Sequence, residues 1–133
     1  MSSHASGPFD VKRITQPSDH PELPLLGRFL LDKVFHGDLE GTSKGQMLAT
    51  GTATGGSAGY VAIEWVEGVL HGRQGTFALQ HNGIMTRGVG ELVISVVPDS
   101  GTGKLEGLAG RMTITIEGGK HFYGFDYTLG EGA

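Results

Sequence analysis

Short runs in which every second side chain is apolar recur along this chain, and Gly, Asn, Asp or Pro cuts one run from the next. That is the period of strands, not of helices. The clearest case is the stretch Met112, Ile114, Ile116 alternating with Thr113, Thr115, Glu117, which predicts one buried and one solvated face. It runs into Glu117-Gly118-Gly119-Lys120, where two glycines supply the positive φ angles of a two-residue hairpin turn. The same reading predicts strands over residues 9–15, 25–36, 39–52, 60–70, 73–80, 88–97, 105–117 and 120–129, eight in all, with residues 1–8 a flexible lead-in. Between the first two, Pro17, Pro21 and Pro24 exclude regular structure and predict an extended loop on the body. Residues 52–59, TATGGSAG, read as a flexible turn. The expected architecture is all-β, one antiparallel eight-stranded barrel filling the 133 residues as a single domain.

Composition sharpens this picture through glycine. The 24 glycines far exceed the roughly 7% of average usage and follow no triplet period, so they mark turns and bulges between apolar runs. Some belong to an internal repeat, G-x-L-x-G, at residues 37–41, 68–72 and 103–107. In the last two copies the register extends to Gly75, Phe77, Leu79 and to Gly110, Met112, Ile114. The pattern suits a leucine that plugs the core from a bent segment, followed by a strand whose alternate residues point inward. No phosphate-binding Gly-rich loop is present, so these glycines are architectural.

Charge narrows the partners. With 14 Asp and Glu against 10 Lys and Arg, the net charge of −4 gives no positive field for nucleic acid. The chain has no cysteine, hence no thiolate nucleophile or thiolate metal site. Its six histidines show no metal-ligand spacing, so neither a metal nor another cofactor is expected. No apolar run is long enough for a membrane span, and the opening MSSHASGPFD has neither the basic nor the apolar part of a signal peptide, so a cytoplasmic location is expected.

The segments VFHGDLEG (34–41), GVLHGRQGTFALQHNG (68–83) and SGTGKLEGLAG (100–110), closed by Phe125-Asp126-Tyr127, resemble the bacterial DUF3224 family of uncharacterised proteins, from about Phe9 onward. That family is similar to the allene oxide cyclase barrel, an eight-stranded antiparallel fold also used by dirigent proteins, so the resemblance implies a barrel with an interior cavity. It implies no reaction, because function belongs to sites and not to folds. Plant cyclases use a carboxylate, asparagines and a proline-associated water. The first strand here offers Asp10 and Lys12 and the loop after it Pro17, Pro21 and Pro24, without a local match, and no catalytic residue is carried over.

The candidate ligand contacts are therefore Glu64, His81 and Tyr127, on their own chemistry. His81 shares strand parity with Phe77 and Leu79 and should point into the barrel near one end, as a donor or base toward a ligand or as a histidine satisfied by a neighbour. Glu64 interrupts an apolar strand in which Tyr60, Ala62 and Val66 share its face and Val61, Ile63 and Trp65 the other, so its direction stays open. Inward, it is a paired structural carboxylate or a perturbed acid at a cavity floor. Tyr127, in step with Tyr123 and Phe125, is a core aromatic or a phenol facing the ligand.

Two functions follow. One is a barrel that binds a small apolar or amphipathic molecule without a cofactor, with isomerase- or cyclase-like turnover as its extension. The other is a non-catalytic module whose interior is filled and whose outer apolar residues, on both faces of 60–66 and 92–97, join copies into a homo-oligomer, most simply a dimer. An interior cavity of roughly 300 Å³ or more separates the first from the second.

Overall fold

In the computed structural model, which describes residues 2–130, strand alternation closes on itself. The strands are β1 (Ser3–Thr15), β2 (Leu26–Phe35), β3 (Leu39–Gly51), β4 (Ala58–Leu70), β5 (Arg73–Thr86), β6 (Val89–Val96), β7 (Ala109–Glu117) and β8 (Lys120–Thr128). They form a closed barrel in chain order, every neighbouring pair antiparallel, with β8 returning to β1 through Ser3↔Tyr127 to Phe9↔His121. The expected all-β class and strand number hold.

Several boundaries move, each for a physical reason. Residues 3–8, expected to be flexible, belong to β1, because closure needs a partner for β8 and buries Ala5 completely. β5 runs on to Thr86, since Asn82 faces outward and Gly83 sits opposite Tyr60, so neither ends the strand. Leu105 belongs to a single 3₁₀ turn (Gly103–Leu105) and not to β7. From there Leu105 and Leu108 drop into the barrel end, and Ser100 Oγ accepts from the Ala78 N–H at 3.0 Å. Gly118 and Gly119 take φ of +56° and +79°, as the hairpin requires.

The two ends differ. At one, Phe35, Phe77, Phe125, Leu39, Leu70 and Leu105 are buried to 1% exposure or less, and the leucines of all three repeat copies are among them. Each such side chain contributes roughly 1.5–3 kcal/mol on burial. A smaller cluster, Leu31, Met47 and Ala62 with Phe29, Ala49 and Tyr60 against it, lines the other end. That end is open for a structural reason. β6 and β7 pair only through Ile94↔Met112 and Ser95↔Arg111, and β1 extends to Thr15 beyond the last residue of β8 it meets, so the wall splays toward the mouth.

Candidate functional site

Between the two apolar clusters the inward positions turn polar. On β2 the inward series reads Leu31, Lys33, Phe35; on β4 Ala62, Glu64, Val66; on β5 Leu79, His81, Gly83; and Ser43 faces them from β3. Lys33, Ser43, Glu64 and His81 are 5%, 3%, 0% and 2% exposed. The ambiguity of Glu64 is thereby resolved: it points inward, and His81 meets it there.

Glu64 Oε2 is the hub. It accepts from Lys33 Nζ at 2.8 Å and lies 2.8 Å from His81 Nε2. Burial alone would push this carboxyl's pKa up, but the His81 hydrogen bond and the charge of Lys33 outweigh it and hold the pKa below the ordinary value. The Lys33 ammonium also stands 5.3 Å and 6.0 Å from the ring centres of Phe9 and Phe35, where ring faces favour a cation. Among the described residues, Glu64 Oε1 and Ser43 Oγ are buried without a protein partner. The layer can thus hold a fixed charge pair and still accept a further donor.

His81 passes the arrangement upward to the mouth. Its Nδ1 lies 3.4 Å from the Tyr60 hydroxyl, and burial, with the charge of Glu64 second, raises the phenol's pKa, so it keeps its proton. Room for this chain comes from two glycines in register. Gly45 pairs with Glu64, and a Cβ on it would stand 2.7 Å from Glu64 Cβ; Gly83 pairs with Tyr60, and a Cβ there would stand 2.3 Å from the ring. The Tyr60 ring therefore lies across Gly83.

Above the layer opens a cavity of about 570 Å³ to which six strands contribute, among them through Arg13, Met47, Ala49, Tyr60, Met85 and Ile116. Its walls are mostly apolar, with Arg13 and Glu91 as charges in the lining, and Arg13 sits 4.7 Å over the Phe29 ring. Tyr60 links cavity and polar layer. Ile116, on the predicted inner face of β7, is 63% exposed because it faces this mouth.

Tyr127 is not part of this group. It lies buried in the opposite, aromatic cluster, its ring 5.3 Å from that of Phe125 and its hydroxyl bonded to His71 Nδ1. The structure adds Lys33, Ser43 and Tyr60 to the expected residues. A signal for Lys33 existed, since it keeps step with Leu31 and Phe35, but Asp32 keeps step equally well with Leu30 and Val34, so both faces of β2 carry a charge. Among the described residues, no three His, Asp or Glu side chains gather as metal ligands, and no helix is long and apolar enough to cross a membrane.

The family model for DUF3224, a protein family of unknown function, matches residues 5–127. The chain belongs to the DUF3224 family. A crystal structure at 1.84 Å of a DUF3224 protein of unknown function from Shewanella oneidensis MR-1 is 50% identical, covers 98% of both chains and superposes with a TM-score of 0.93. No curated protein matches the chain. The DUF3224 barrel thus comes without an assigned reaction, and the site must be read from its own chemistry.

Proposed function

We propose that this DUF3224 protein binds a small apolar or amphipathic molecule in the open mouth of its barrel, above the Lys33–Glu64–His81 layer. One observation carries the reading: a mostly apolar cavity of about 570 Å³ ends on an ordered polar group at Tyr60. That combination of apolar wall and few placed polar atoms is what small-molecule sites share, and the volume lies in their usual range of about 300–1,000 Å³. Cofactor-free isomerase-like turnover is the natural extension, because carboxylate, imidazole and phenol stand in sequence from the floor to the cavity. Titration with 1-octanol, a small amphipathic probe, tests the binding. Wild type should bind, and Ala49→Trp, which fills the mouth, should lose at least tenfold in affinity; equal binding by both would refute the site.

A second reading has its own observation. Leu48 and Val61 pair across β3 and β4 on the outer wall, and with Ile63 and Trp65 they leave four large apolar side chains 45–53% exposed. Such a patch favours burial against a second copy of the chain. Sedimentation should then show a dimer that Trp65→Glu dissociates, and a wild-type monomer at all concentrations would remove this reading.

A further inference from the structure

The direction of the hydrogen bonds in the polar layer says what kind of ligand the mouth accepts. An ionised carboxylate only accepts. Both contacts to Glu64 Oε2 must therefore be donated to it, one by Lys33 Nζ and the other by His81 Nε2. Charge balance fixes the rest. The single negative charge of Glu64 is matched by Lys33, and Ser43, the remaining polar side chain of the layer, is neutral. A proton added to His81, itself 2% exposed, would leave a second buried cation without a counter-charge. The imidazole is accordingly neutral, with its hydrogen on Nε2 and a lone pair on Nδ1. Facing that lone pair, the Tyr60 hydroxyl is the donor of their 3.4 Å contact. Its one hydrogen is committed downward, and what Tyr60 Oη offers the cavity is lone pairs.

We propose that the mouth selects apolar molecules bearing a hydrogen-bond donor, an alcohol or related hydroxyl compound, over isosteres that can only accept, such as ketones. This rests on the mouth being the binding site and names the class of molecule it takes. Of the other inward side chains around the cavity, Met47, Ala49, Met85, Leu92 and Ile116 offer no strong hydrogen bond, and Arg13, opposite Leu31, lays its guanidinium 4.7 Å over the Phe29 ring and stays exposed to water, as Glu91 does, so the choice falls to the half-buried Tyr60. The chain of donors, Lys33 and His81 into Glu64 and Tyr60 into His81, sets that polarity from the floor upward.

The test compares 1-octanol with 2-octanone, similar in size, on wild type and Tyr60→Phe by calorimetric titration. Wild type should prefer the alcohol by about fivefold, the effect of one added hydrogen bond. Tyr60→Phe keeps the ring over Gly83 and should bring the two probes to within about twofold, so the ratio between the two proteins cancels any difference in hydrophobicity. Equal affinities in wild type, a preference for the ketone, or a preference that survives in Tyr60→Phe would overturn the donor rule while leaving the mouth as a binding site. Binding of neither probe would overturn the mouth reading and the donor rule together.

Discussion

The barrel carries two arrays of the same three side-chain types, one at each end, and their settings are opposite. At the closed end Asp38, His71 and Tyr127 line up: His71 Nε2 is 3.7 Å from Asp38 Oδ2, and Nδ1 meets the Tyr127 hydroxyl. Asp38 and His71 there are 45% and 36% exposed, and Asp38 Oδ2 also accepts from the Ser6 backbone at 3.0 Å. Toward the open end Glu64, His81 and Tyr60 repeat the series, but Glu64 and His81 are sealed from water, and Glu64 also binds Lys33. Water screens the first array, so its carboxylate–imidazole contact contributes at most about 1 kcal/mol. Nothing screens the second, so removing one partner leaves a charge in an apolar surround. Depth along the barrel, and not residue type, separates a surface tether from a site: Tyr127 ends in packed aromatics and Tyr60 in a cavity.

Mutating the two carboxylates is the strongest way to break this comparison. Glu64→Gln strips Lys33 of its counter-charge and should lower stability by about 3–5 kcal/mol in urea unfolding, whereas Asp38→Asn should cost less than about 1 kcal/mol. Equal losses would mean the buried layer is hydrated like the rim. Next in size is Gly83→Ala, whose Cβ would meet the Tyr60 ring. We expect a loss of about 1–3 kcal/mol from overpacking together with weakened 1-octanol binding; a neutral melt would show that the ring does not need that space.

Acid titration sharpens the contrast further. The Glu64 carboxyl is held below its ordinary pKa when folded. Its stabilising contribution is therefore complete above the unfolded value of about 4.3 and disappears as pH falls through the folded one. Wild type should lose stability more steeply below about pH 4 than Glu64→Gln does, and parallel curves would contradict the pairing. The smallest effect belongs to the closed end. His71 holds a left-handed φ of +46° in its turn, which asparagine also tolerates, so His71→Asn should cost only the hydrogen bond to the Tyr127 hydroxyl, about 0.5–1.5 kcal/mol in urea unfolding.

Much of the fold could be read from alternation and glycine, because a period of two and a Gly-Gly turn are local properties. The turn at Arg87-Gly88 was harder: arginine seldom adopts the φ of +46° it has here, and the two-residue hairpin between β5 and β6 imposes it. The site was half legible. Glu64 and His81 stood out as titratable groups in apolar strands, and they do meet. Lys33 did not, since choosing between it and Asp32 requires knowing which face of β2 turns inward, and that is set by pairing with β1 and β3. Tyr60 looked like any strand aromatic until its cross-strand glycine was known.

The methionines give the most direct test of the mouth as the binding site, because Met47 and Met85 line the cavity while Met112 is buried in the closed-end core. In a protein labelled with ¹³C at the methionine methyls, 1-octanol should shift Met47 and Met85 in a saturable way and leave Met112 and the Trp65 indole N–H unmoved. Shifts concentrated at Trp65, or no saturable shift at Met47 and Met85, would contradict it.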